Sequence, residues 1–180
     1  MLKLKAVQLR NTKPTKKDLA KIKRRDIYFI LDNVLDTYNV GGIFRLADAI
    51  GVKKVYLCGE TETPPNPRIK KASINTTEWV NWEYASSAAE VIKNLKLKIK
   101  NLNVAAVEQD NRSVPYTEID YKLPIVLVVG NETTGISKEV LGFCDYVVEI
   151  PMWGVNTSLN VIISLGVVSY QAVKRNFVNL

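Results

Sequence analysis

Histidine is absent from this sequence of 180 residues. Its absence excludes a Ser-His-Asp triad, a histidine general base and any histidine metal ligand. The two cysteines, Cys58 and Cys144, form no C-x-x-C pair, so neither a zinc site nor a disulfide framework is predicted. No apolar run reaches the ~20 residues of a membrane span. The charged N-terminus lacks the apolar core of a secretory signal, and we therefore expect a cytoplasmic protein.

The composition is that of a globular domain. Apolar residues make up 47% of the chain and charged residues 24%, which is unlike a disordered protein. A chain of this length buries roughly 70% of its unfolded surface, enough for one core without disulfides or metals. Since no linker is visible after residue 26, we expect a basic extension over residues 1–26 and one domain over residues 27–180.

Positive charge is concentrated at the N-terminus. Residues 1–25 hold ten Lys or Arg and one acid, a net charge of +9, whereas the remainder carries −2. A cluster of cations attracts phosphate and releases counterions when it binds nucleic acid. Charge alone leaves a nucleic-acid site and a solvated basic tail equally open. A membrane-surface helix is disfavoured because the segment has no Trp or Phe opposite its charges.

Short apolar runs alternate with segments of helical periodicity. The runs predict strands at 27–31, 54–58, 103–107 and 125–129, a longer one at 146–152 and a weaker one at 79–84. Three prolines predict a loop over 59–67. The alternation predicts an α/β fold with a mostly parallel sheet and helices on both faces.

Helices are predicted from apolar stripes and capping residues. Ile43, Leu46, Ala47 and Ile50 form one helical face, which Gly51 ends. A further helix covers 88–95, and others begin after Thr15, Ser137 and Ser158. The last helix is expected to bury Leu159, Ile162, Ile163 and Gly166.

Three turns between a strand and a helix could carry chemistry. The first, from Gly130 to Ser137, is close to the P-loop pattern G-x-x-x-x-G-K-[ST]. However, Ile136 stands at the lysine position and Glu132 adds a negative charge, and both changes oppose binding of a nucleoside triphosphate. What remains is a glycine-bounded loop at the carboxyl end of a strand, where α/β folds place ligands. The alternative, which this turn taken alone favours, is a tight turn with Ser137 as the cap of the following helix.

The second turn runs from Ile150 to Asn160. Pro151 removes a donor at the end of the strand, which leaves backbone groups there free to face a ligand. The alternative is that Ser158 and Asn160 only cap the helix that follows.

The third turn contains Asn39, two glycines and Arg45. Asn39 can cap the helix, and the glycines permit close approach of another backbone. Arg45 lies about 200° around the helix from Ile43, so it faces away from the apolar stripe. It is either a surface arginine or one aimed at a phosphate or hydroxyl group.

Together and in this order, these stretches closely resemble the signature motifs of the TrmH (SpoU) family of RNA ribose 2′-O-methyltransferases, in the SPOUT superfamily. The matching stretches are NVGGIFRLADAIGV (39–52), LVVGNETTGIS (127–137) and IPMWGVNTSLNV (150–161). KKASINTTEWVNWEY (70–84), VAAVEQ (104–109) and LRNTKPT (9–15) are also similar to the family or a subset of it. The resemblance covers almost the whole chain.

The resemblance implies methylation of a ribose 2′-hydroxyl in a structured RNA, with S-adenosylmethionine as methyl donor. It implies a homodimer, no metal, and a deep trefoil knot over roughly residues 125–175. By position it assigns the cofactor to Val107, Glu108, Val129, Gly130, Asn131, Glu132, Ile150, Met152, Ser158, Leu159 and Asn160. It assigns catalysis or its support to Arg45, Asn39, Glu132, Ser158 and Asn160.

The family's proposal that the motif arginine, here Arg45, helps to deprotonate the ribose is physically awkward. A guanidinium has a pKa above ~12 and is a poor base. We therefore favour a role in which Arg45 holds a phosphate and stabilises the developing alkoxide. One departure from the family pattern is Ile162, which replaces a serine and removes one possible hydroxyl contact.

The RNA is expected to dock on the basic extension and on Arg45. The cations assigned to it are Arg10, Lys13, Lys16, Lys17, Lys23, Arg24 and Arg25. Because no separate globular RNA-binding domain precedes the motifs, tRNA is favoured over rRNA. The alternatives are an rRNA 2′-O-methyltransferase and an RNA-binding protein of the same fold that has lost catalysis.

Overall fold

The structure, a computed structural model, describes residues 5–174. The helices are α1 (Ala6–Asn11), α2 (Lys16–Leu19), α3 (Thr37–Ile50), α4 (Pro67–Ser73), α5 (Ala88–Lys98), α6 (Lys138–Gly142) and α7 (Val161–Val173). The strands are β1 (Arg25–Asp32), β2 (Val52–Cys58), β3 (Trp82–Ala85), β4 (Asn103–Val107), β5 (Val114–Pro115), β6 (Ile125–Gly130) and β7 (Tyr146–Glu149). A short 3-10 helix, Thr76–Glu78, precedes β3.

The strands form one sheet in the order β3-β2-β1-β6-β4-β7-β5, and every pair is parallel. In the register of β1, Leu31 lies opposite Leu57 on β2 and Val129 on β6. The carboxyl ends of all the strands therefore meet at one edge of the sheet, which is where parallel sheets place ligands. The prediction of a mostly parallel sheet is confirmed.

Alternate residues of β1 face two separate cores. Phe29 packs in a core with side chains of α3 and α7, whereas Ile30 packs in another with side chains of α5 and α6. Because both faces are covered, the central strands are apolar throughout, which is why they appear in the sequence as continuous runs. Within residues 5–174, no helix combines the length and the hydropathy that crossing a bilayer requires.

Several predicted helix ends are confirmed. The side chains of Thr15 and Ser137 accept hydrogen bonds from backbone amides in the first turns of α2 and α6. Gly51 ends α3 with φ 71°, a left-handed conformation that a residue without Cβ adopts without strain.

Two predictions for α7 are wrong. The helix begins at Val161, and its cap is Asn160 rather than Ser158. Leu159 and Ile163 are exposed, while the buried positions are Leu165, Val168, Ser169, Ala172 and Val173. Since most of the helix is apolar, the sequence gives no contrast from which the inward face could be read.

Smaller corrections concern the ends of other elements. Asp36, not Asn39, caps α3 by accepting a hydrogen bond from the amide of Tyr38 at 2.7 Å. Pro67 belongs to the first turn of α4 rather than to the preceding loop, a position where its missing N–H costs nothing. Strand β7 ends at Glu149 rather than continuing to residue 152, and β3 begins at Trp82 rather than at residue 79.

Candidate functional site

A cavity of about 510 Å³ opens at the carboxyl ends of β4, β6 and β7. All eleven residues that the sequence analysis assigned to a cofactor line it: Val107, Glu108, Val129, Gly130, Asn131, Glu132, Ile150, Met152, Ser158, Leu159 and Asn160. Lining residues that sequence reasoning missed are Gln109, Thr133, Gly135, Val148, Glu149, Asn156, Thr157, Val161 and Ser164. Most of these lie within or beside the same three loops, so widening each predicted loop would have found them.

The loop after β6 is a closed turn rather than a phosphate cradle. Asn131 and Gly135 bond each other's backbone at 3.1 and 2.9 Å, and the side-chain oxygen of Asn131 accepts from the amides of Thr133 and Thr134. The amide of Ile136 donates to Glu108 at 2.8 Å. The amides that a P-loop offers to phosphate are thus already bonded within the protein, which opposes triphosphate binding.

Glu108 joins the loop after β4 to the loop after β6. Its carboxylate accepts from the amide of Gln109 as well as from that of Ile136, both at 2.8 Å. Gln109 in turn donates through Nε2 to the carbonyl of Thr157 at 2.5 Å. All three cavity loops are therefore linked by two adjacent residues at the end of β4.

Asn39, Glu132 and Asn160 form a chain of hydrogen bonds at the rim of the cavity. Asn160 Nδ2 donates to Asn39 Oδ1 at 3.0 Å, and Asn39 Nδ2 donates to Glu132 Oε1 at 2.8 Å. Each residue comes from a different motif, and the chain ties the loop after β6 to the first turns of α3 and α7. The structure thus brings together three of the five residues expected to support catalysis.

The carboxylate of Glu132 also receives the backbone amides of Leu35 and Asp36, each at 3.1 Å. Partial burial raises the pKa of the Glu132 carboxyl, but the hydrogen bonds from Asn39, Leu35 and Asp36 outweigh burial and leave the pKa below its ordinary value. Glu132 is therefore ionised at neutral pH and holds a negative charge against the N-terminal end of α3.

Ser158 and Arg45 stand outside this chain of hydrogen bonds. Ser158 lines the cavity, but its hydroxyl makes no hydrogen bond within the described chain. Arg45 is exposed on α3 and does not line the cavity. It lies six residues after Asn39, which places it about 9 Å further along the helix axis.

Two glycines about one turn before Arg45 show which helices flank it on α3. Gly41 packs against α4, so close that an added Cβ would stand 2.6 Å from the Cβ of Ala72. Gly42 packs against Ile162 of α7. Arg45, one turn further along, occupies the exposed surface between these two helices. Within residues 5–174 its guanidinium has no carboxylate partner.

The structure separates the predicted N-terminal cations into two groups. Lys13, Lys16, Lys17 and Lys23 are exposed, whereas the side chain of Arg10 lies outside the described part of the structure. Arg24 donates to the carbonyl of Trp79 at 3.0 Å, and Arg25 donates to the carbonyl of Ile50 at 3.1 Å. Burial lowers the pKa of Arg24 despite the nearby Asp48. Arg24 and Arg25 therefore hydrogen-bond the start of β1 to the end of α3 and to the segment before β3.

The cavity is lined by acidic and uncharged groups. Glu108, Glu132 and Glu149 contribute carboxylates, and no Lys or Arg is among the lining residues of the described chain. Such a site favours a ligand that carries positive or no net charge over a polyanion.

Comparisons with known proteins agree on one family. The model of the SpoU rRNA Methylase family matches residues 26–170. A tRNA (guanosine(18)-2′-O)-methyltransferase from Aquifex aeolicus (strain VF5) is 33% identical over 156 residues, which are 83% of this chain and 70% of that protein. The enzyme of the same name from Escherichia coli (strain K12) is 29% identical over 150 residues, 82% of this chain and 62% of its own length. The chain thus spans less than two thirds of the second relative.

Solved structures give the same result. The crystal structure of the A. aeolicus TrmH/SpoU tRNA modifying enzyme superposes with a TM-score of 0.78 and 28% identity, covering 96% of this chain and 82% of that one. The SpoU methyltransferase AviRb from Streptomyces viridochromogenes, in complex with the cofactor AdoMet, superposes with a TM-score of 0.79 and 26% identity. That match covers 90% of this chain and 66% of the other.

Proposed function

The chain belongs to the SpoU rRNA methylase family, and we propose that it methylates a ribose 2′-hydroxyl of a structured tRNA with S-adenosylmethionine as methyl donor. The observation that carries the proposal is the cavity at the carboxyl edge of the sheet, because loops from all three sequence motifs line it or bond to its rim. The first relatives, named as tRNA (guanosine(18)-2′-O)-methyltransferases, favour tRNA over rRNA as the substrate.

The cavity fits the methyl donor in size and in charge. Its volume of about 510 Å³ lies within the range of small-molecule sites. Three carboxylates, with no lysine or arginine among the lining residues that the structure describes, suit a sulfonium cation and do not suit a nucleoside triphosphate. The eleven lining residues from Val107 to Asn160 named above would hold the donor, which supplies an already activated methyl group.

The chain's own residues orient the RNA. Arg45 is exposed and has no carboxylate partner within the described chain, so its guanidinium is available to a phosphate next to the target ribose. From there it also stabilises negative charge that develops on the 2′-oxygen. Asn39, Glu132 and Asn160 fix the first turns of α3 and α7 against the cofactor loop and so position Arg45. Ser158 lies on the same cavity wall and is assigned to binding.

The experiment that tests the function is transfer of labelled methyl from S-adenosylmethionine to an unmodified tRNA pool and, separately, to rRNA. We expect incorporation into tRNA as a 2′-O-methylnucleoside, and loss of that incorporation in Arg45→Ala. Lys100→Ala, which removes an exposed cation from the turn after α5, is the matched control and retains activity.

The outcomes separate the alternatives. Incorporation into rRNA alone would replace the tRNA substrate with an rRNA. Binding of S-adenosylmethionine and RNA without methyl transfer would favour an RNA-binding protein of this fold that has lost catalysis. Full activity of Arg45→Ala would refute the role of Arg45.

We also propose that two copies of the chain pair through α7 and the start of α3. Ile163, Val167 and Tyr170 lie along one side of α7, and Ile163 and Tyr170 are exposed. Leu35 and Tyr38, beside the start of α3, add exposed apolar surface nearby. A two-fold pair would bury this surface on both copies. Sedimentation equilibrium tests the pairing, and Ile163→Asp is expected to yield monomers.

Two finer features of the architecture belong to the same proposal. Residues 1–26 form an RNA-docking extension of the domain at 27–180, with Lys13, Lys16, Lys17 and Lys23 presented to the RNA. The second feature proposed is a knot in the C-terminal part, supported by the return of α7 to pack against α3, β6 and β4 although β7 lies beyond β4. A knotted chain pulled from its ends would stop short of the ~3.3–3.6 Å per residue of an extended chain.

A further inference from the structure

Helix α4 carries an exposed basic surface that the sequence pattern did not predict as part of the RNA site. Arg68, Lys70 and Lys71 are all exposed on this helix of seven residues, and Ile69 and Ser73 face inward. We call these three cations the α4 basic face. None of them pairs with a carboxylate within residues 5–174.

The α4 basic face lies between the two places where RNA is expected to dock. On one side α4 packs along α3, where the carbonyl of Ile69 and the Cβ of Ala72 approach Gly41, one turn before Arg45. On the other side Asn75, just after α4, donates to the carbonyl of Leu9 at 2.9 Å. The N-terminal segment therefore lies against the end of α4.

An ion pair holds the N-terminal segment beside α4, although it leaves Lys13 paired. Lys13 reaches Glu78 of the 3-10 helix after α4 and forms an ion pair with it at 2.5 Å. Exposed lysines of α2, Lys16 and Lys17, continue the positive charge along the segment. The side chains of Asp18 and Glu78, two acids near this surface, each already bind a neighbour: Asp18 accepts from Thr15, and Glu78 pairs with Lys13.

Three lysines on the opposite face of the sheet differ from the α4 basic face because each is paired with a carboxylate. Lys54, Lys93 and Lys96, on the side covered by α5 and α6, each form an ion pair with a carboxylate at 2.5–2.8 Å. A paired lysine must give up its carboxylate before it neutralises a phosphate, whereas an unpaired one need not. These three paired lysines therefore offer an RNA backbone less than the three cations of the α4 basic face, whereas Lys98 at the end of α5 is exposed and forms no ion pair within residues 5–174.

We propose that the α4 basic face binds the phosphate backbone of the substrate RNA and connects the N-terminal segment to Arg45. This inference rests on the proposed function and names the surface along which the RNA lies. Phosphate contacts of this kind position a nucleic acid without reading its sequence. The RNA must then span from the cavity rim across α3 to α4, so a structured RNA binds better than a short single strand.

The test is the salt dependence of RNA binding by the Lys70→Ala/Lys71→Ala variant. Each lysine–phosphate contact adds about 0.9 to the slope of log K against log salt. The slope is therefore expected to fall by about 2, which makes the wild type lose about tenfold more affinity than the variant between 50 and 200 mM salt. Fluorescence anisotropy with an unmodified tRNA transcript measures both quantities.

The matched control is Lys98→Ala/Lys100→Ala, which removes the same charge from exposed positions at the end of α5. It should change the slope by less than half a unit. An equal change in both variants would overturn the proposal, because total charge rather than the α4 basic face would then be responsible. An unchanged slope in the α4 variant would overturn it as well.

Failure of the proposal is distinguishable from failure of the proposed function. If the wild type methylates tRNA but the α4 variant keeps its salt slope, only the docking surface is wrong. If the slope falls as expected but the wild type transfers no methyl group, the surface stands and the enzymatic activity does not. Circular dichroism and S-adenosylmethionine titration confirm that the α4 variant is folded.

Discussion

The hydrogen bond between Asn39 and Glu132 permits a quantitative prediction. Glu132→Ala removes the acceptor of three donors, the amides of Leu35 and Asp36 and the side chain of Asn39. Leu35 and Asp36 are exposed, so water replaces the lost acceptor there. The side chain of Asn39 is buried, with 6% of the residue exposed, and its Nδ2 group loses a partner that water cannot readily replace.

An unpaired buried donor costs about 1–3 kcal/mol. We therefore expect Glu132→Ala to lower the free energy of unfolding by about 2 kcal/mol, equivalent to about 4–8 °C in Tm for a chain of this size. Glu118→Ala, at an exposed position outside the cavity lining, is the charge-matched control and should lie within about 0.5 kcal/mol of the wild type.

A double-mutant cycle isolates the interaction. In Asn39→Ala the buried donor is absent, so adding Glu132→Ala should cost much less than it costs alone. We expect a coupling energy of about 1–2 kcal/mol from urea unfolding of the four proteins. Additivity within about 0.5 kcal/mol would refute the reasoning, since the two side chains would then contribute independently.

The same bond predicts a pH dependence with a definite sign. The pKa of Glu132 in the folded protein lies below its ordinary value of 4.5, because its hydrogen bonds outweigh the effect of burial. Its contribution is therefore complete above pH 4.5 and is lost as the pH falls through the lowered value. The difference in the free energy of unfolding between wild type and Glu132→Gln should therefore shrink as the pH is lowered below 4.5.

Two further predictions concern packing and the thiols. Gly41→Ala places a Cβ 2.7 Å from the carbonyl of Ile69 and should destabilise the protein by about 1–3 kcal/mol in urea unfolding, whereas Gly142→Ala meets open space and should be neutral or slightly stabilising. Burial raises the pKa of the Cys58 and Cys144 thiols to about 12, so neither should react with a disulfide reagent at pH 8 until the protein is unfolded; rapid reaction of the native protein would contradict this.

The strands were predictable because their environment leaves a direct trace in the sequence. β6 is buried at every position, and a strand buried on both faces must be apolar throughout. The order of the strands leaves no such trace, since β6 lies between β1 and β4 although its first residue, Ile125, comes 93 positions after Asp32 at the end of β1 (125 − 32). Pairing in space is decided by the whole sheet and cannot be read from one run of residues.

Charge shows a similar limit. The count of N-terminal cations predicted a basic segment. A count does not distinguish an exposed lysine from an arginine that is hydrogen-bonded to the domain. Arg24 and Arg25 donate to backbone carbonyls of the domain, while Lys16 and Lys17 remain exposed. The difference depends on carbonyls of Trp79 and Ile50 that any residue type would supply, so no side-chain pattern reveals it.

The start of α7 shows how the site itself decides a feature of local structure. Ser158 and Asn160 are both good caps, and the sequence pattern predicted a helix that begins after Ser158. Asn160 Oδ1 accepts from the amide of Ile162 at 2.9 Å, while its Nδ2 donates to Asn39 at 3.0 Å. Only an amide side chain presents a separate acceptor and donor for these two partners. Aspartate would cap the helix but would oppose the oxygen of Asn39, and the single oxygen of serine would have to serve both. The helix therefore begins where the hydrogen bonds at the cavity rim require an asparagine, two residues later than its sequence suggests.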